Sequence, residues 1–135
     1  MSVSRINPPD LARPSGFSHA TRSGSGTVHL AGQTAMTADG VIVEGGIVPQ
    51  FRQVLSNLLT ALRAAGGGPE HLLSVTVYLL DIPGYQEHGK EIGAVWRELM
   101  GKEYPAMTGV GVTALWQTEA LIEIAAVAEV PQDRG

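Results

Sequence analysis

Glu123 is the residue whose setting most favours chemistry. It lies in the run Leu121-Ile122-Glu123-Ile124-Ala125, where two-residue spacing puts Leu121 and Ala125 on its own face of an extended strand. A carboxylate among apolar neighbours resists ionisation, and a raised pKa suits a general acid or base near neutral pH. The competing reading is a strand glutamate at a rim, hydrated or paired with an arginine, because carboxylates are seldom fully buried. Glu129, farther along the same face, reads as solvated.

Other chemistries find less support. The histidines His19, His29, His71 and His88 lack the spacing of a metal site and read as structural or surface residues. With no cysteine, disulfides, thiolate nucleophiles and thiolate-bound metals are excluded. The glycine-bearing runs Ser23-Gly24-Ser25-Gly26, Gly45-Gly46 and Gly66-Gly67-Gly68 lack the P-loop lysine and the dinucleotide-site order, so they read as turns and a helix stop. No Gly-x-Ser-x-Gly elbow is present. Trp96 and Trp116 read as core or interface aromatics, and nothing calls for a metal or a cofactor.

The elements that must position Glu123 follow from periodicity. From about Val48 to Ala65, Phe51, Val54, Leu55, Leu58, Leu62 and Ala65 share one face, Pro49 suits the first turn, and Gly66-Gly67-Gly68 stops the helix. A second helix is predicted from about Gly84 to Met100, with Tyr85, His88, Ile92, Val95, Trp96 and Leu99 on one face. Gly89 and Gly93 weaken it, Gly101 ends it, and His88 reads as a satisfied core imidazole or a pocket wall. Strand-like runs are Thr27 to Gln33, Leu72 to Leu80, Met107 to Thr113 and Ala120 to Val130, with a weaker one near Phe17 to Thr21. This order predicts an α+β layer, two helices on one face of a mixed sheet. On the last strand Ile122, Ile124, Ala126 and Ala128 make one apolar face, while Leu121, Ala125 and Val127 make the other mostly apolar too. With helices for one side only, another subunit is expected to cover the second.

Composition bounds the whole. A chain of 135 residues supports one core and a single domain over 1–135, and 44% hydrophobic against 16% charged residues excludes a disordered chain. Thirteen acids against nine bases give a net charge of −4, the wrong sign for a protein that lives on phosphate backbones. No stretch reaches the roughly 18 apolar residues of a membrane span, nor does the N-terminus carry a signal-peptide core, so a cytoplasmic protein is expected.

Three segments together resemble a known family. Leu30-Ala31-Gly32-Gln33 after a strand, Gln50 through Asn57 in the first helix, and Tyr104-Pro105-Ala106 leading the strand that precedes Leu121-Ile122-Glu123-Ile124-Ala125 resemble the Rid family (YjgF, reactive intermediate deaminase), over nearly the whole chain. The resemblance implies a chorismate-mutase-like α+β fold and a homotrimer whose sheets form a central barrel with three clefts at the subunit boundaries. In active deaminases of that family an arginine after Pro-Ala holds the substrate carboxylate and a glutamate on the last strand positions water. There 2-imino or 2-enamino acids are hydrolysed to 2-keto acids and ammonia.

Glu123 matches that glutamate, but Met107 stands at the arginine position, and a thioether offers neither charge nor a bidentate fork. Ala31 replaces the serine often found before Gly-Gln, Gly89 beside His88 replaces an asparagine, and Phe17, in Phe17-Ser18-His19-Ala20, replaces a tyrosine. The implied substrate-binding positions are Phe17, His19, Ala31, Gly32, His88, Gly89, Met107 and Gly109, with the amide near Gly32 able to polarise an electrophilic oxygen or nitrogen. The expectation is a protein that binds a small-molecule ligand at subunit interfaces. Glu123 acts there as general acid/base on an imine, enamine or carbonyl-like group, and the standard 2-imino acid deamination is not expected. The alternative is a non-catalytic binding module on the same trimer. RNA cleavage, attached to some family members, is disfavoured by the acidic balance and the lack of a basic-aromatic stripe. Arg13 and Arg22 are the cations available to replace the missing charge.

Overall fold

Alternation of buried and half-exposed residues along β3 (Thr27–Gln33), β4 (Leu72–Leu79) and β6 (Ile122–Glu129) builds one face of a sheet into a core. The computed structural model describes residues 2–132; the ends of the expected 1–135 domain, residue 1 and residues 133–135, lie outside them. With β1 (Val3–Ile6), β2 (Ala20–Ser23) and β5 (Ala106–Gly111), the strands order as β1-β2-β3-β6-β4-β5. All neighbours run antiparallel except β4 and β5. A parallel pair needs a crossover, and the chain between those two strands supplies it as helices.

Helix α1 (Ile47–Ala64) packs on β3 and β6 and carries α3 (Gly89–Met100) against its side. Phe51, Val54, Leu55, Leu58 and Leu62 are fully buried with Val28, Val75, Ile122 and Ile124 of the sheet. Gly45 and Gly46, with φ of 110° and 92°, turn the chain into α1, and Gly66, at 95°, turns it out; these angles are cheap only for glycine.

The second helix differs from its expected course. It is split into α2 (Ile82–Glu87) and α3, with His88 closing one and opening the other. The imidazole Nδ1 donates to the Gly84 carbonyl at 2.9 Å, which an unbroken helix reserves for the His88 amide, and that amide turns to Tyr85 O at 3.2 Å. His88 is therefore neither a core imidazole nor a wall of the cavity at Glu123.

The weak strand near Phe17 to Thr21 is corrected to Ala20–Ser23, since the His19 amide is held by Asn7 Oδ1 at 2.8 Å and Phe17 stays in the preceding loop. The edge strand β1 is not among the predicted runs. Its residues are mostly exposed and it owes its form to pairing with β2, so it has no apolar alternation to read.

The sheet face opposite the helices carries Ser74, Thr76 and Tyr78 of β4 beside Leu121, Glu123, Ala125 and Val127, all half-exposed. No element of the described chain packs over it.

Candidate active site

A bulge in β3 creates the site. Leu30 pairs with Ala126 and Gln33 with Ile124, so Ala31 and Gly32 together oppose Ala125 alone, and the extra residue turns Gln33 to the opposite face from the one alternation would give it. Leu30 and Gln33 are both buried, which strict alternation forbids for residues three apart. The bulge also brings Gly32 against the Glu123 side chain: a Cβ at position 32 would fall 2.8 Å from Glu123 Cδ. Only glycine leaves the carboxylate that place.

Glu123 is half-buried and has no side-chain hydrogen bond or ion pair among the described residues. Desolvation pushes its pKa above the ordinary glutamate range, because nothing nearby compensates the charge.

The carboxyl faces a cavity of about 550 Å³. Ala31 and Gly32 form its floor with Glu123. Ala12, Arg13 and Phe17 of the loop before β2 also line it, as do Met36, Trp116 and Gln117. His19 also lines it, yet both ring nitrogens are taken: Gln33 Nε2 donates to Nδ1 at 3.0 Å, and Nε2 donates to Ala12 O at 2.7 Å. Its effect is to tie the wall loop to β3.

Polar residues on the buried face of α1 hold the remaining rim. Asn57 Nδ2 donates to Thr34 O at 3.1 Å and Met36 O at 2.8 Å. Gln50 donates to Glu119 O at 3.0 Å and accepts from the Leu121 amide at 2.8 Å. Thr34 Oγ1 links the two segments by donating to Gln117 Oε1 at 2.7 Å.

Phe17, His19, Ala31, Gly32 and Glu123 are thus brought together within one chain. His88 and Gly89 lie at the α2–α3 junction, and Met107 and Gly109 lie on the edge strand β5; none of these four lines the cavity. Met36, Trp116 and Gln117 are walls that sequence reasoning misses, and Arg13 is one it names only as an available cation. Trp116, read as a core or interface aromatic, is 92% exposed in the chain, whereas Trp96 is in the core. The usable signal is Gln50 and Asn57, seven apart on an otherwise apolar helical face. Arg22 is occupied elsewhere, donating to Ala65 O at 2.7 Å and Pro131 O at 2.8 Å. Among the described residues no group of three His, Asp or Glu could hold a metal ion, and no helix is long and apolar enough to cross a membrane.

Residues 10–130 match the family model described as Endoribonuclease L-PSP. A RutC family protein of Pyrococcus horikoshii is 36% identical over 113 residues, 83% of this chain and 85% of that protein. A 2-iminobutanoate/2-iminopropanoate deaminase of Homo sapiens is 30% identical over 103 residues, 76% of this chain and 72% of that protein. The solved structure of a Rid family protein of unknown function from Yersinia pestis superposes with a TM-score of 0.83 at 28% identity, covering 96% of this chain and 100% of that one.

Proposed function

The chain belongs to the endoribonuclease L-PSP family, which takes in the Rid proteins, and from that premise we propose that it binds a small metabolite and hydrolyses an imine or enamine, with Glu123 as general acid/base. The observation that carries this reading is the unpartnered, desolvated Glu123 carboxyl lying over side-chain-free Gly32 in a cavity. Water adds to the carbon of the protonated imine: the C–O bond forms as the Glu123 carboxylate takes a water proton, and the C=N π pair becomes the lone pair of the nitrogen, giving a neutral carbinolamine. In collapse the Glu123-borne proton passes to nitrogen, the hydroxyl proton returns to the carboxylate, and ammonia leaves as C=O forms. Desolvation, which raises the pKa of Glu123, makes it the stronger base for the first step.

A neighbouring copy of the chain completes the cleft in this reading, within a homotrimer whose sheets face inward. The uncovered face of β4 and β6 supports it, as does the position of Met107 and Gly109 on β5, at the edge of the sheet beyond β4, outside the lining of the cavity. Met107, 44% exposed on β5, offers a neighbour an apolar contact and no charge, which sets the site apart from an arginine-clamped deaminase.

The test uses imines generated in situ from phenylalanine or 2-aminobutyrate by an amino acid oxidase, with ammonia release timed against semicarbazide trapping. The wild type accelerates release, on the 2-aminobutyrate imine well below the rate of an arginine-clamped deaminase, and Glu123→Gln lowers the acceleration by about 100-fold or more. Equal rates in the two proteins overturn the role given to Glu123. No acceleration by either favours the binding module, which Met107 in place of a charged clamp already favours.

A further inference from the structure

Gln33 in the cavity lining has a polar end that the chain leaves unused. The residue is 5% exposed, and its Nε2 donates to the His19 ring at 3.0 Å. Its carboxamide oxygen has no partner among the described residues, where Trp96 Nε1 is the only fully enclosed side-chain polar atom without one. The oxygen is therefore open, and Gln33 lines the cavity. Neighbouring polar groups are spent on each other: Asn57 donates to two carbonyls and accepts from Gln53 Nε2 at 2.9 Å, and Thr34 donates to Gln117.

A chain of forced choices orients the Gln33 carboxamide. Ala12 O can only accept, so Nε2 of His19 carries the ring proton. In a neutral ring Nδ1 is then an acceptor, which requires Gln33 to turn its NH2 group to the ring and leave its oxygen free. A second proton on the ring reverses the last step. With Nδ1 a donor, Gln33 must meet it with oxygen, and a half-turn about the last side-chain bond frees the NH2 group instead. The His19 backbone is fixed meanwhile, since its amide donates to Asn7 Oδ1 at 2.8 Å and its carbonyl accepts from the Ala31 amide at 2.9 Å.

We propose that His19 sets the hydrogen-bonding sense in which Gln33 meets a ligand: a neutral ring makes the cavity offer an acceptor and take a ligand with an N–H or O–H donor, and a protonated ring makes it offer a donor. Gln33 touches the ligand, and His19 is a positioning residue. The ionisable groups on the surrounding elements are Arg5 of β1, Asp10 and Arg13 of the loop, Arg22 of β2, His29 of β3 and Glu123 of β6. Of these only Arg13 and Glu123 share the cavity lining, and their charges act on the ring proton in opposite directions. The assignment rests on the reading of the cavity as the ligand site, and it adds the polarity of the ligand.

The test is binding of two probes of one flat shape, indole, which carries an N–H donor, and benzofuran, which has none. Neither probe titrates in the range used, and binding is followed by chemical shifts of the labelled protein. At about pH 8, with the ring neutral, indole binds about three- to tenfold more tightly, the worth of one neutral hydrogen bond. At the pH where the ring nitrogen shifts of His19 show both nitrogens protonated, the preference is gone. His19→Gln can donate to Ala12 O and accept from Gln33 but takes no proton, so it keeps the preference at both pH values. Gln33→Met, similar in size and without the carboxamide, loses it at both. A preference that His19→Gln also loses on acidification belongs to the titration of Glu123 and overturns the assignment. Equal binding of the probes at the higher pH, no measurable binding, a preference that outlasts ring protonation, or unfolding before the ring takes its second proton overturns it too. Turnover has no part in this readout. A switched preference without imine hydrolysis overturns only the catalytic role of Glu123, and hydrolysis without a switch overturns only the roles of His19 and Gln33.

Discussion

Glu123 keeps its carboxyl half-buried with no ion pair among the described residues, and its desolvation fixes the sign of a pH dependence. Desolvation raises its pKa in the folded chain above the ordinary value of 4.5. Below 4.5 the group is protonated both folded and unfolded and contributes no penalty. As pH rises from there toward the raised folded value, the unfolded chain ionises first, and stability falls. Above the folded value the penalty is complete and constant. Thermal or denaturant unfolding of wild type and Glu123→Gln between pH 4 and 8 is expected to show the variant gaining on the wild type as pH rises through this window. Parallel curves mean that the carboxyl is hydrated like any surface glutamate. Gly32 belongs to the same account, since the space it leaves is where the carboxyl lies.

At the scale of elements, α1 both fills the core and fastens the loops of the site. Its apolar positions bury Phe51, Leu55, Leu58 and Leu62, and its two inward polar residues, Gln50 and Asn57, hold segments distant in sequence. Removing the Asn57 amide leaves the Thr34 and Met36 carbonyls short of a donor, so Asn57→Ala is expected to cost about 1–3 kcal/mol. Thr60→Ala, which loses only a bond back to Ser56 O within the helix, is expected to change stability by less than about 0.5 kcal/mol. Chemical denaturation of both variants checks the contrast. An Asn57→Ala variant as stable as Thr60→Ala means that the rim loops are held by backbone packing alone. The break at His88 belongs to this scale too, because a side chain took a carbonyl that the helix ladder needed.

At the scale of the whole molecule, the uncovered face of β4 and β6 and the far-edge position of Met107 make one prediction. Light scattering after size exclusion is expected to give about three chains per particle, the closed assembly in which each subunit's uncovered face meets a neighbour. Val127→Lys places a charge on that face and is expected to shift the protein toward monomers. Met107→Arg is expected to rescue hydrolysis of the 2-aminobutyrate imine in the assembled protein and not in the dissociated one. A monomeric wild type at micromolar concentration, or rescue without assembly, overturns the shared cleft.

Periodicity alone determined α1, β3, β4 and β6, because each buries a continuous face and burial forces apolar residues to recur at the period of the backbone. The same logic singled out Glu123, a lone carboxyl within such a face, and led to the expectation that another subunit covers that face. Elements without a buried face were illegible for the same reason: β1 is held by pairing with β2, and the α2–α3 break depends on where one imidazole bonds. Only the tertiary structure decided the site. The bulge at Ala31-Gly32 is a matter of register between strands about 90 residues apart, and the cavity walls come from loops that hydrogen bonds fasten to α1 and, through His19, to β3. Spacing along the chain carries no record of such meetings. That Arg22 is spent on the carbonyls of Ala65 and Pro131 while Arg13 lines the cavity follows from where the fold places two residues of the same type, which composition cannot distinguish.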